Sequence, residues 1–383
     1  MPDTAVTPVE SAAMHRALAL AARGPAYGPN PQVGCVLLDP TGSVLGEGWH
    51  AGAGTAHAEV AALRQARERG SDVRGGTAVV TLEPCNHTGR TGPCAVALAD
   101  AGVARVLYAV PDPSTRAGGG AEHLRSRGVD AVGGHLRPDG EQLLRVWLHA
   151  IRTGRPFVTL KIASSLDGRV AAADGTSRWI TSAEARAHAH LLRGRVDAIA
   201  IGSGTMLADD PALTSRTPSG ELAGHQPLRV VIGRAEVPAG ARLRGAGGEL
   251  VALRTHDLDE VMAALAAREV RHLLVEGGPT LATAFLRAGV VDEVHAYVAP
   301  VLLGSGPANV RDLGIGTISD AVRLSVHHVL PLGPDVLLVA APASAAATVS
   351  SRSTASTGST RSSASTASPA ATVSSSTVQR EES

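Results

Sequence analysis

Apolar positions along this chain follow two periods, and the two alternate. Residues 32–39, QVGCVLLD, are a short β-branched and aliphatic run closed by the turn residues PTG, which predicts a buried strand. Residues 57–69, HAEVAALRQARER, carry apolar positions at helical spacing as far as Gly70 and predict a helix. A second buried strand is expected in GGTAVVTLE (75–83), a short helix in CAVALADAG (94–102) and a third strand in VARVLYAV (103–110). Alternation of this kind predicts a largely parallel sheet with helices laid against it.

The alternation resumes beyond residues 145–156 with different residues. FVTLKIASSLDG (157–168) and VDAIAIGSGT (196–205) predict strands ending in small residues, with a helix, SAEARAHAHLLRGR (182–195), between them. LRVVIG (228–233), RHLLVEGG (271–278), PTLATAFLRAG (279–289) and DEVHAYVAP (292–300) continue as strand, strand, helix and strand. No internal repeat links the halves. The expectation is two α/β domains, residues 1–148 and 149–343, in keeping with a 383-residue chain that exceeds one hydrophobic core. Residues 344–383 are mostly Ser, Thr and Ala, with no aromatic, Leu or Ile. They are expected to form a disordered tail, because they cannot bury enough surface to offset chain entropy.

Composition then narrows the function classes. The 35 basic residues balance 35 acidic ones, leaving no overall basic field for a nucleic-acid backbone, and aromatics at 2% argue against base-stacking platforms. Three cysteines make no disulfide framework; two of them near a histidine suit a metal in a reducing compartment. The first ten residues lack the regions of a signal peptide, and no apolar run approaches the roughly 18 residues of a membrane span. A soluble, cytoplasmic protein with neither nucleic-acid nor membrane partners is expected.

Two fragments carry the first chemistry: TAHAEVAALRQA (55–66) and VTLEPCNHTGRTGPCAVALA (80–99). A catalytic zinc needs three protein ligands, an open position, and a carboxylate that moves protons without occupying the metal. His57, Cys85 and Cys94 supply the ligand types and Glu59 the carboxylate. Zinc lowers the pKa of bound water towards about 7, which suits hydrolysis at an amidine-like carbon. Cys94 opens a predicted helix, whose dipole favours a thiolate. Residues two apart on a regular helix face different ways, so bringing His57 and Glu59 to one metal requires the conformation of a helix start. The competing reading is a structural zinc with His87 as fourth ligand. Cys35, inside an apolar strand, reads as core.

PNPQVG (29–34), HAEV and TLEPCNHTGRTGPC together resemble the deaminase half of the bifunctional deaminase–reductase family of riboflavin biosynthesis. Cytidine and tRNA-adenosine deaminases commonly space their cysteines C-x-x-C; the wider gap between Cys85 and Cys94, with H-x-G-R-T inside it, is similar to the riboflavin pattern. The resemblance implies a cytidine-deaminase-like α/β/α domain in which Asn30, His50, His87 and Arg90 hold a phosphoribosylated diaminopyrimidinone. Gly92 stands where the family usually has Pro, and DPSTRAGG (112–119) is a loose version of the family's DPNPxVAG. Both departures bear on loop rigidity.

In the second half, AIGSGTMLADDPALTSR (200–216) and LLVEGGPTLATAFL (273–286) each place small residues directly after a strand. The second runs into a helix whose free N–H groups can meet a phosphate. By themselves these clusters serve equally well as tight turns. Taken in order, LKIASSLDGR, SRWITS, LADDPALTSR and VEGGPTL resemble the reductase half of the same family, which implies a dihydrofolate-reductase-like α/β domain using NADPH. The resemblance further implies that Ala163, Trp179, Thr205 and Asp209 line the cofactor site and that Gly278, Pro279, Thr280, Leu281, Ala282, Thr283 and Ala284 cradle its phosphates. Ser177, Arg193, Leu213, Arg216 and Glu276 would contact the substrate. Arg193 and Arg216 suit a ribose phosphate; a solvated helix end is the other reading of Arg193, and plain core that of Leu213. Lys161, alone in an apolar strand, is expected near the reacting sugar, since an unpaired buried ammonium is costly.

Gly233 stands where the family commonly has an acid, and Arg234 falls where the cofactor usually borders; both bear on cofactor affinity. The resemblance spans residues 9–342 and implies Zn2+ and NADPH as cofactors, a small-molecule substrate and a homo-oligomer. The residues alone leave open a monofunctional deaminase with a non-catalytic second domain, a structural-zinc interaction protein, and NADH in place of NADPH.

Overall fold

The computed structural model describes residues 5–87, 92–115 and 117–343, so the expected tail and Arg90 lie outside the described residues. The first half runs α1 (Pro8–Ala21), β1 (Gly34–Leu38), β2 (Val44–Trp49), α2 (Ala58–Glu68), β3 (Thr77–Leu82), α3 (Cys94–Asp100), β4 (Arg105–Val110), α4 (Gly120–Ser126), β5 (Asp130–Gly133) and α5 (Arg137–Thr153). Its five strands are ordered β2-β1-β3-β4-β5. Strands β3, β4 and β5 are parallel, as strand–helix alternation predicts, but β1 is antiparallel to both of its neighbours. The PTG turn accounts for this on one side. Asp39 Oδ1 accepts from Thr41 N and Ser43 N at 2.8 and 2.9 Å, closing a hairpin too short for a parallel crossover.

Helices α1 and α5 cover one face of this sheet through Met14, Leu20, Leu144 and Leu148. The other face packs against α2, α3 and α4 through Ala58, Ala62, Ala95, Leu98 and Leu124. Three layers result. Helix α1 starts with a capping box in which the Thr7 side chain accepts from Glu10 N and the Glu10 carboxylate accepts from Thr7 N.

The second half runs β6 (Phe157–Ser165), α6 (Ala183–Arg193), β7 (Ala198–Gly202), α7 (Ser203–Asp209), β8 (Leu228–Ile232), β9 (Leu250–Leu253), α8 (Leu258–Ala267), β10 (His272–Val275), α9 (Pro279–Arg287), β11 (Glu293–Ala299), β12 (Leu324–Leu332) and β13 (Asp335–Pro342). Its eight strands are ordered β12-β13-β11-β6-β10-β7-β8-β9. From β11 through β9 every neighbouring pair is parallel, while β13 and β12 close one side antiparallel. The expected division at residue 148 falls inside α5, which continues to Thr153 and ends at Gly154. The halves touch directly: Gly28 N donates to Asp197, Tyr27 stacks on His225 at 3.4 Å, and Arg145 pairs with Glu293 at 2.8 Å.

Candidate active sites

Helix α2 brings the first site together at its N-terminal end. His57 is the N-cap, with extended backbone (φ −67°, ψ 160°), and Glu59 follows in the first helical turn. Because His57 is outside the helix, the two side chains need not diverge as they would two positions apart within it. Two glycines of β2 let α2 approach: a Cβ on Gly48 would collide with Ala58 O, and one on Gly46 with Ala62 O. Cys85 follows β3 and Cys94 begins α3, whose backbone N–H donates to Cys85 Sγ at 3.4 Å.

His57 Nδ1 lies 3.6 Å from Cys85 Sγ and 3.3 Å from Cys94 Sγ. A tetrahedral zinc, with Zn–S about 2.3 Å and Zn–N about 2.0 Å, separates its sulfur and nitrogen ligands by about 3.5 Å. The donor types and spacings therefore fit zinc. Among the described residues this is the one group of three or more His, Cys, Asp or Glu donors so disposed, and His87 is not a fourth member. A hydrogen bond from Cys94, reinforced by one from His57, outweighs burial and draws the Cys85 thiol down to about 4. Glu59 is 4% exposed, and burial raises its carboxyl above the usual range, as a proton carrier requires. Cys35 is fully buried core, its thiol pushed up by burial.

Asn30 and His50 act as a pair beside this centre. His50 Nδ1 faces Ala56 O at 3.1 Å, which makes Nε2 the acceptor for Asn30 Nδ2 at 3.0 Å. The His50 ring meets that of His57 edge-on at 5.4 Å. His87 follows Cys85 on the same loop, with its Nδ1 buried and without a hydrogen-bond partner among the described residues.

The second site is a cavity of about 820 Å³ in the second half. Lys161, Ala163, Ser177, Trp179, Arg193, Thr205, Asp209, Leu213, Arg216 and Glu276 all line it. At its floor Glu276 accepts from Arg193 Nε and Nη2 at 2.7 and 2.8 Å, and Lys161 Nζ lies 3.7 Å away. Burial would raise the Glu276 carboxyl, but the charges of Arg193 and Lys161 overcome it and hold the group at about 2. Arg193 is thus a half-buried, paired cation rather than a solvated helix end. Leu213 is both core and wall at 3% exposed. Trp179, 69% exposed, stands at the cavity with Arg186 over its ring at 4.5 Å.

The 278–284 segment divides. Gly278 caps α9 and its N–H donates to Thr205 Oγ1 at 3.0 Å, joining the two small-residue clusters; Pro279 and Thr280 form the first turn. Leu281, Ala282 and Thr283 are buried instead, and the Thr283 hydroxyl donates to Pro279 O and accepts from Arg311 N. None of residues 278–284 lines the cavity.

Residues 8–110 match the family model for the cytidine and deoxycytidylate deaminase zinc-binding region, and residues 156–338 match the RibD C-terminal domain. Over 320 residues the chain is 49% identical to the riboflavin biosynthesis protein RibD of Mycobacterium tuberculosis, covering 82% of this chain and 92% of that one. The chain belongs to the RibD family. RibD of Escherichia coli is 42% identical over 362 residues, covering 85% and 97% of the two chains. Two solved structures superpose with TM-scores of 0.80, each covering 88% of this chain and 99% of the other. They are a Thermotoga maritima diaminohydroxyphosphoribosylaminopyrimidine deaminase/5-amino-6-(5-phosphoribosylamino)uracil reductase, 31% identical, and Acinetobacter baumannii RibD, 36% identical.

Within this RibD-family fold several residues gain meaning that the motifs alone did not convey. Glu83 of the EPC triplet has a structural duty: its carboxylate accepts from Asp112 N and Ala121 N, tying Asp112 to the start of α4. Tyr297, Arg178, Arg186 and Arg242 also line the large cavity. Tyr297 was findable as one of three tyrosines in the protein, at an alternate position of a predicted strand, and Arg178 stands inside the SRWITS stretch; Arg186 and Arg242 had no motif to mark them. Arg234 is exposed and does not line that cavity.

Proposed function

We propose that the chain is a bifunctional riboflavin-biosynthesis enzyme in which residues 1–148 deaminate a phosphoribosylated diaminopyrimidinone and residues 149–343 reduce its ribosyl side chain to ribityl. The carrying observation is the buried Glu59 next to the converging His57, Cys85 and Cys94 donors, in a chain that belongs to the RibD family. Zinc, when bound, supplies an activated water and the reductase half uses NADPH as hydride donor.

Glu59 takes a proton from water and passes it to the departing amine. Asn30, His50 and His87, with Arg90, orient the pyrimidine and its phosphate. In the reductase half Lys161 and Arg193 hold the phosphoribosyl group, with Glu276 fixing both cations; Ser177, Leu213 and Arg216 complete that wall. Ala163, Trp179, Thr205 and Asp209 receive the nicotinamide cofactor. The Gly278–Thr280 turn at the start of α9 faces its phosphates with the Thr280 N–H as donor, since the Gly278 N–H is taken by Thr205 and Pro279 has none; Leu281, Ala282, Thr283 and Ala284 support that turn from behind.

Two alternatives lose ground. A structural zinc would need a fourth ligand, and His87 is not among the donors. A non-catalytic second half would have no use for a buried ion cluster at a cavity floor. We also propose a homo-oligomer that covers β12, an edge strand with Val326 and Val329 at 53% and 62% exposed, and a cytoplasmic setting. No helix among the described residues is long and apolar enough to cross a membrane.

The test supplies zinc-loaded protein with the diaminopyrimidinone ribosyl phosphate and NADPH, following ammonia and nicotinamide absorbance together. Both should change, ammonia first. Ammonia without NADPH oxidation would remove the reductase assignment, and neither change would remove the whole reading.

A further inference from the structure

A second cavity, of about 480 Å³, lies between the two halves, walled by the 25–32 loop, α5, α6 and the starts of β10 and β11. It is large enough for a small metabolite. Its charges are unbalanced. Glu293 is fully engaged, pairing with Arg145 at 2.8 Å and accepting from His295 Nε2 at 2.8 Å. Arg195 and Arg271 also line the cavity, and among the described residues no side chain pairs with either; Arg271 Nε is buried without a partner.

His295 adds a directional requirement. It is 8% exposed, and its Nδ1 is buried with no hydrogen-bond partner among the described residues. Because Nε2 donates to Glu293, the neutral ring presents Nδ1 as an acceptor, which calls for an O–H or N–H donor. Arg271 carries the buried donor that needs an acceptor, and the solvent-reaching Arg195 adds a second planar guanidinium at the same cavity, a pair that suits a phosphate dianion.

We propose that this cavity binds a sugar phosphate: the phosphate on Arg195 and Arg271, a sugar hydroxyl donating to His295 Nδ1. The site is separate from both reaction centres but touches each. Asn30 in its wall hydrogen-bonds His50, and His188 in its wall holds the Tyr297 hydroxyl at 2.8 Å behind the reductase cavity. A phosphoribosyl compound passing from the first centre to the second has the required chemistry; that choice of ligand, unlike the site itself, rests on the function proposed above.

Calorimetric titration of the full zinc-loaded chain with ribose 5-phosphate tests this against an Arg195→Gln/Arg271→Gln variant. Wild type should bind one more ribose 5-phosphate per chain than the variant. At this extra site orthophosphate should bind at least tenfold more weakly and ribose should not bind. Deaminase and reductase rates, each measured with its own saturating substrate, should be unchanged in the variant. Leu143→Trp, which fills the cavity from α5, should remove the same site without touching either arginine, and so guards against misfolding of the double variant. Equal stoichiometry in wild type and both variants would overturn the proposal. Orthophosphate binding as tightly as ribose 5-phosphate at the extra site would also overturn it, by removing the need for a sugar hydroxyl.

Discussion

Gly48 on β2 lies directly beneath Ala58, the first residue of α2, so closely that the strand has no room for a Cβ. The contact sets the height of the helix end that carries His57 and Glu59. Gly48→Ala should therefore displace that end, and a shift of about 1 Å is enough to cost on the order of 100-fold in rate. Deamination should fall by that order while NADPH-dependent reduction of the deaminated substrate is unchanged. Separate assays of the two half-reactions check it.

Chelation should split the activities in the same way. Removing zinc with phenanthroline should stop ammonia release and leave reduction of added deaminated substrate intact, because no such donor cluster lies in the second half among the described residues. Zinc restored in equal amount should recover ammonia release. Loss of reduction alongside deamination would count against this division.

The Glu276 cluster predicts a pH dependence of stability. A carboxyl lowered to about 2 in the folded chain contributes stability that is present above its unfolded value, about 4.3, and lost as pH falls towards 2. The unfolding temperature of wild type should therefore drop more steeply between pH 5 and 3 than that of Glu276→Gln. At neutral pH Glu276→Gln, which leaves Arg193 and Lys161 uncompensated, should cost about 3–5 kcal/mol and raise KM in reduction.

Gly233 illustrates a departure with a local cause. It has φ 129°, and a Cβ there would run into the Ser203 side chain at the start of α7. An acid restored at this position meets both strain and collision. Gly233→Asp should lower stability by about 1–3 kcal/mol and weaken NADPH binding, and adding Ser203→Gly should relieve part of each loss. Cofactor titration of the three proteins decides it.

The strands β1, β3, β4, β6, β7, β8, β10 and β11 and the helices α2, α3, α6 and α9 all fall within the expected spans, because each carries a run or a spacing of apolar residues bounded by turn residues. Strand β2 escaped because Gly46 and Gly48, the residues that let α2 approach, erase its alternation. Strand β12 escaped because eight of its nine residues are exposed, leaving no apolar–polar contrast. Helix α1 is alanine-rich and lacks a clear polar face. At the sites, His57, Cys85 and Cys94 were legible because zinc restricts ligand type and spacing. The structural duty of Glu83 and the Arg193–Glu276 pair depend on tertiary contacts that no local pattern encodes.

Glu59 is proposed to move protons next to a metal it does not hold. Purified Glu59→Gln should carry one zinc per chain, reduce deaminated substrate at the wild-type rate, and release ammonia at least 100-fold more slowly than wild type. Ammonia release at the wild-type rate with zinc in place would contradict the account.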